Sequence, residues 1–324
     1  MIDRRAFASG AFSLLGLPEA LHAQQGRPRG KIGYLHPVTI SQKHSTLKIL
    51  GAAWRQLGYV DGETVLLRSG EQNPTTLPRL VAELIASGCG VLIVVGGEAV
   101  RVVVKAAATT PIVAIDMETD PVQTGLIASY GRPGGNVTGL FLDLPSLAAK
   151  WVGLLREIVP GLERVALAWT PSTGKAQLDV ATAAAKAIGL ETTIMEIVTS
   201  DDFDAQFARL VGPKRTGIVQ LTAPGFVTVS EGYAAAAIRY KLPTINFLRS
   251  MAESGVLVSY GPNQEHYFPR AIAMADAILK GEKPDNIPVE RPTRFEFVLN
   301  LKTAKALGLA IPPLVLAQVD EVIE

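Results

Sequence analysis

A single cysteine in 324 residues removes several classes of protein at once. Cys89 alone cannot form an intramolecular disulfide framework or a thiolate-rich metal centre. It sits in Ser87-Gly88-Cys89-Gly90-Val91 ahead of an apolar run, where a small buried thiol serves as a hydrophobe. Histidine is nearly as scarce, and the four present have no metal-ligand spacing. An excess of basic charge is absent too: 31 basic and 30 acidic residues are interspersed along the chain. A nucleic-acid surface needs a basic stripe or a basic excess, so nucleic acid is not an expected partner. Beyond the N-terminus no run of eighteen apolar residues occurs, so no membrane span is expected in the mature chain. There is no Gly-x-Ser-x-Gly elbow and no phosphate-binding Gly-x-x-x-x-Gly-Lys-Ser/Thr loop. The first apolar strand runs into His36-Pro37, not into a glycine fingerprint, which disfavours dinucleotide binding. The expectation is a protein without cofactor, without metal and without catalysis.

What is present begins with an address. Arg4-Arg5 precede an apolar or small stretch from Ala6 to Leu17, Pro18 breaks it, and Ala20-Leu21-His22-Ala23 offers a cleavage point. Charged, apolar and cleavage regions in that order make a secretory signal over residues 1–23, and the paired arginines give it a twin-arginine character. A periplasmic destination, with the signal removed near Ala23, is expected.

After Gly30 the pattern alternates strand and helix. Lys31–Leu35, Thr64–Arg68, Val91–Val95 and Pro111–Ile115 are apolar strands. Between them, Ser45–Leu57, Leu77–Ala86 and Glu98–Ala107 carry apolar residues at helical spacing. Continuous apolar strands separated by helices predict a parallel sheet covered on both faces. A Gly- and Pro-dense run from Tyr130 to Gly139 then interrupts the alternation and marks a crossing between domains. Beyond it the alternation restarts, with strands at Arg164–Trp169, Glu191–Ile197, Gly217–Leu221 and Pro243–Asn246. The chain is long for a single core and suits two. The fold class is α/β, with two Rossmann-like lobes of parallel sheet. The tail adds strands at Val256–Ser259 and Arg294–Leu299, and long and short helices at Gln264–Lys280 and Leu301–Leu307.

Several segments carry a resemblance. Gly131-Arg132-Pro133-Gly134-Gly135-Asn136-Val137-Thr138-Gly139 is similar to a signature of the ABC-transporter substrate-binding proteins of the tryptophan/tyrosine type. So are Leu57-Gly58-Tyr59-Val60-Asp61-Gly62, Asp120-Pro121-Val122, Ser259-Tyr260-Gly261-Pro262-Asn263 and the run from Asn300 to Leu309, in order along almost all of the mature chain. The resemblance implies a type I periplasmic-binding-protein architecture with three crossovers and a ligand cleft between the lobes. By that analogy one lobe is 31–136 plus 256–283, and the other is 137–255 plus 286–324. It also implies a small-molecule ligand, an amino acid with an aromatic or branched side chain or an aromatic carboxylate, and an ABC permease as partner. A periplasmic enzyme on the same plan and a sensory ligand-binding domain are the competing readings; no helix-turn-helix precedes Lys31, which counts against a repressor.

Ligands of open α/β sheets bind beyond the carboxyl ends of the strands. That rule selects His36 and Ser41 after the first strand, Gly96, Gly97 and Glu98 after the third, and Asp116, Met117, Glu118 and Asp120 after the fourth. In the second lobe it selects Trp169 and Thr170, then Thr222 and Pro224, then Asn246 and Phe247; Tyr260 ends the strand at Val256–Ser259. Asp116, Glu118 and Asp120 are the most informative, because an α-ammonium group needs a carboxylate partner when desolvated. Each residue also has a structural reading: Gly96-Gly97 as a tight turn, His36 as a solvated loop residue, Trp169 and Phe247 as core, Tyr260 as part of a turn, and the carboxylates as solvated.

Overall fold

The computed structural model describes residues 30–38, 45–70, 74–116, 119–197, 203–222 and 229–324. The expected leader, Ser41, Met117, Glu118 and Pro224 lie outside the described residues.

The first half of the chain builds β1 (Lys31–His36), α1 (Ser45–Gln56), β2 (Val65–Ser69), α2 (Leu77–Ala86), β3 (Cys89–Val95), α3 (Gly97–Ala106), β4 (Ile112–Asp116) and β5 (Val137–Phe141). Their strands form one parallel sheet in the order β2-β1-β3-β4-β5. The second half builds α4 (Leu144–Ile158), β6 (Arg164–Trp169), α5 (Ala176–Ala187), β7 (Glu191–Glu196), α6 (Phe203–Leu210), β8 (Thr216–Gln220), α7 (Ser230–Arg239), β9 (Thr244–Asn246), α8 (Arg249–Glu253) and β10 (Val258–Pro262). These strands repeat the winding as β7-β6-β8-β9-β10. The tail supplies α9 (Gln264–Leu279), β11 (Phe295–Asn300), α10 (Leu301–Leu307), α11 (Pro313–Leu316) and β12 (Glu321–Ile323). β11 joins β10 antiparallel and β12 joins β11 parallel, extending the second sheet to seven strands.

The central strands β4 and β8 are buried along their length, as their apolar runs require, and so is the edge strand β5. One apolar cluster covers the α1 face of the first sheet and continues through Trp151, Phe247 and Val258 into the second lobe. A separate cluster beneath α2 and α3, which includes the free Cys89, fills the opposite face of the first sheet.

Sheet membership moves all three expected boundaries. The run ending at Gly139 is not a crossing: its last three residues begin β5, the edge strand of the first sheet. The glycine serves that pairing. Gly139 has φ +139°, and a Cβ there would stand 2.0 Å from the Ala114 carbonyl oxygen on β4. The first crossing therefore falls at Leu142–Asp143, where Asp143 adopts φ 51°, a left-handed conformation unusual for a residue other than glycine. β10 likewise belongs to the second sheet rather than to the first lobe, and the chain crosses back only at Asn263. The return segment stays on the first lobe as far as Glu290, whose N–H donates to Gly139 and whose carbonyl accepts from Phe141. The third crossing is then 291–294.

Residues of the recurring motifs do local structural work at these joints. Gly261 lies so close to β9 that a Cβ would stand 2.3 Å from the Phe247 carbonyl oxygen. The Asn263 side chain accepts from the His266 N–H and caps α9, and the Asn300 side chain accepts from the Thr303 N–H and caps α10. Arg291 ties the first and third crossings together: its guanidinium donates to the Tyr130 hydroxyl at 3.0 Å, lies 3.7 Å from Asp143, and stacks over Tyr130 and Phe141.

Candidate functional site

Each sheet has one topological switch point. In the first, the chain leaves β1 for β2 on one side and returns to β3 on the other, so the crevice opens between β1 and β3. In the second, β6 sends the chain to β7 on one side and β8 on the other, so the crevice opens between β6 and β8. α3, which follows β3, approaches the turn Pro171–Thr173, which follows β6. The two lobes are therefore in contact through elements that follow their switch-point strands.

On the first lobe the expected residues gather at the β1/β3 crevice and beside it. His36 ends β1 and is buried; its Nδ1 lies 2.9 Å from the Val38 carbonyl oxygen and 3.3 Å from the Val38 N, which fixes the turn out of the strand. Its ring stacks on Tyr34. Gly96, φ 87°, precedes α3 without a side-chain cap, and Gly97 and Glu98 form the first turn of that helix. Backbone N–H groups at such a terminus favour an anion. Asp116 ends β4, is 3% exposed, and accepts from the Thr119 N–H at 3.1 Å and from the Thr119 hydroxyl. Asp120 differs from it: its carboxylate accepts from the Val122 and Gln123 N–H groups and starts a surface turn. That is the structural reading of Asp120, a short side chain satisfying local backbone donors.

On the second lobe, Trp169 ends β6, half-buried, with its indole N–H donating to the Gly174 carbonyl at 2.7 Å. Thr170 donates to the Ile197 carbonyl. Thr222, two residues past β8, is 2% exposed, and its N–H donates to Gln177 Oε1 at 2.9 Å. Gln177, in the first turn of α5, and Gln220, the last residue of β8, were not among the expected residues. Both are buried, and Gln177 Nε2, both amide atoms of Gln220 and the Thr222 hydroxyl find no hydrogen-bond partner among the described residues. Gln220 was discoverable only as a polar residue closing the apolar run Ile218-Val219. Asn246 is occupied: it accepts from the Leu248 N–H and donates to the Gln220 carbonyl.

Phe247 and Tyr260 are brought to a different place. Tyr260 stacks on Phe295 and meets Phe297 edge to face within the hinge strands, and Trp151 of α4 donates to its carbonyl. Burial, then the charge of Asp320, pushes its phenol up. Phe247 packs on Trp151 and lines a cavity of about 420 Å³ between the lobes at the hinge edge. Lys48, Gln264 and Glu265 line it from the first lobe, and Arg249, Glu296 and Glu321 from the second. Its second-lobe charges are paired with one another. Arg249 of α8 pairs with Glu253, Glu296 of β11 and Glu321 of β12, and these bonds hold its guanidinium above its ordinary range and Glu321 below the usual carboxylate range. On the second-lobe side this cavity is lined by a charged cluster that joins α8 to the C-terminal strands. Among the described residues no group of three or more His, Cys, Asp or Glu is placed to hold a metal ion, and no helix is long and apolar enough to cross a membrane.

Two doubly wound lobes joined by three crossovers, with facing switch points, define a binding protein of the type I periplasmic plan. The chain belongs to the ABC transporter substrate binding protein family, whose pattern matches residues 33–323. A curated relative is the tyrosine-binding protein of Clostridioides difficile strain R20291, 24% identical over 279 residues, covering 85% of this chain and 78% of the relative. Among solved structures, a conserved domain protein of Vibrio cholerae O1 biovar El Tor superposes with a TM-score of 0.79 at 22% identity, over 91% of this chain and 99% of its own. An ABC domain of Streptococcus pneumoniae in complex with L-Trp superposes at 0.77 and 23% identity, over 90% of this chain and 100% of its own. The fold expected from sequence is the one observed.

Proposed function

We propose that this chain captures a free amino acid with an aromatic or branched side chain between the β1/β3 and β6/β8 switch points, and hands it unaltered from the periplasm to the permease of an ABC importer. The observation that carries this reading is the approach of α3, which follows β3, to Pro171–Thr173, which follows β6. Such a ligand touches both lobes only when they are closed, so its binding energy favours the closed form through the crossovers. Asp116 suits the ammonium group and the first turn of α3 the carboxylate. Trp169, whose ring is fixed by its bond to Gly174, supplies an apolar wall from the second lobe. The tyrosine and tryptophan in the names of relatives support this ligand class.

The test is calorimetric titration and thermal shift of the mature chain, refolded to remove co-purified ligand, against tyrosine, tryptophan, phenylalanine, leucine and benzoate. Saturating ligand at a hundred times its Kd adds about 2.7 kcal/mol of stability. Absence of any shift with every amino acid refutes the ligand class. Recovery of a chemically changed ligand refutes the non-catalytic reading.

A further inference from the structure

Gln220 is fully buried at the carboxyl end of β8, in register with Ala168 of β6, and neither of its amide atoms is hydrogen-bonded among the described residues. Unpaired buried polar atoms are rare in folded proteins, because each forfeits its hydration without return. Here they cluster. Gln177 Oε1 accepts from the Thr222 N–H, and this fixes the amide orientation, leaving Nε2 as the unpaired donor. The Thr222 hydroxyl is unpaired as well. All three residues flank the β6/β8 crevice: Gln177 opens the helix that follows β6, and Gln220 and Thr222 close β8.

We infer that Gln177, Gln220 and Thr222 form a neutral subsite on the second lobe that receives a hydroxyl group of the ligand's side chain. The inference rests on the amino-acid reading above and narrows it to hydroxylated aromatic side chains. Three unpaired groups are donors, and Gln220 Oε1 is an acceptor. A hydroxyl both accepts and donates, and so serves the two kinds together. A carboxylate accepts only, and would leave Gln220 Oε1 unpaired against a negative charge. A ring N–H donates only, and would leave the amide donors unpaired.

The experiment compares wild type with Gln220→Met and Thr222→Val, near-isosteric changes that remove the polar atoms. Tyrosine, phenylalanine and tyramine are titrated into each refolded protein. Wild type is expected to prefer tyrosine over phenylalanine by about tenfold or more, since a site built for a hydroxyl penalises its absence. In Gln220→Met that preference falls to within about threefold, with phenylalanine affinity little changed. An equal loss for tyrosine and phenylalanine that vanishes with tyramine overturns the inference, because the subsite then holds the carboxylate. An unaltered preference in both variants also overturns it. Melting of the ligand-free proteins gives a second readout. Gln220→Met should melt at or above wild type, because it removes an unpaired buried amide. A fall of more than about 5 °C means that the amide is part of the fold's own hydrogen bonding, and overturns the inference. If wild type binds none of the amino acids, the ligand reading falls, while the melting comparison still decides the state of Gln220.

Discussion

The two lobes are wound alike, β2-β1-β3-β4-β5 and β7-β6-β8-β9-β10, yet the groups at their switch points differ in kind. At the first, charged or ionisable side chains are tied to the backbone around them: His36 to Val38 and Asp116 to Thr119. At the second, the buried side chains are neutral amides and a hydroxyl, and several of their atoms find no partner among the described residues. The topology sets where a ligand can sit in either half. The chemistry is divided between them, with ionisable groups at one crevice and neutral hydrogen-bonding groups at the other.

The largest effects are expected at the two places where a sheet strand admits no side chain. Gly139→Ala in the first lobe forces a Cβ into the Ala114 backbone at a positive φ, and Gly261→Ala forces one into Phe247 in the second. Each is expected to cost about 3 kcal/mol or more, read by denaturant melts; a loss below about 1 kcal/mol in either would show that the strands separate easily there. Next is charge on the first lobe. Asp116→Asn should weaken amino-acid binding by about 10- to 100-fold, the range of a hydrogen bond to a charged group, and should weaken tyrosine and phenylalanine alike. A side-chain-selective loss would reassign Asp116 to the ring end of the ligand. A smaller effect is expected at the hinge that links the lobes. Arg291→Lys keeps the charge but loses the planar stack on Tyr130 and Phe141, and should shift Kd by no more than about fivefold. A larger change would mean that the crossovers, more than the crevices, govern closure.

The smallest effect lies within the second lobe. Arg249 holds the Glu321 carboxyl below its ordinary range, so the folded state binds this proton less readily than the unfolded state. The resulting stabilisation is present above the ordinary carboxylate pKa and is lost as pH falls through the depressed value. Protection of the amides at 321–323, corrected for the intrinsic exchange rate, should therefore fall in acid in the wild type. Glu321→Gln should exchange faster already at neutral pH and lose that part of the acid dependence; equal acid dependence in both proteins would assign it to another carboxylate.

Much of the fold was legible because it is periodic. The apolar runs at Val91–Val95 and Arg164–Trp169, and the helical spacing of Leu77–Ala86, all match observed elements to within two residues. The capping roles of Asn263 and Asn300 are local in the same way. β5 was missed because Thr138-Gly139 is dominated by the flexibility signal of the preceding glycines, whereas the glycine is there for close contact with β4. α8, α11 and β12 are too short to show a period. His36, Gly96, Gly97, Asp116, Trp169 and Thr222 do stand at or just beyond the carboxyl ends of strands, as the placement rule expects. Tyr260, Phe247 and Asp120 satisfied the same rule and were drawn into hinge packing and a surface turn.

By itself the sequence determined a βα alternation repeated in two units, the apolar character of the central strands and the caps of the late helices. These depend on residues within a few positions of one another. Only the tertiary structure decided that Val137–Phe141 closes the first sheet and Val258–Pro262 joins the second, that Arg249 gathers three carboxylates, and that Gln177 and Gln220 lie buried at the same crevice. Strand pairing and burial bring together groups far apart in the chain, and no local period encodes which distant partner a polar residue will meet or whether water will reach it.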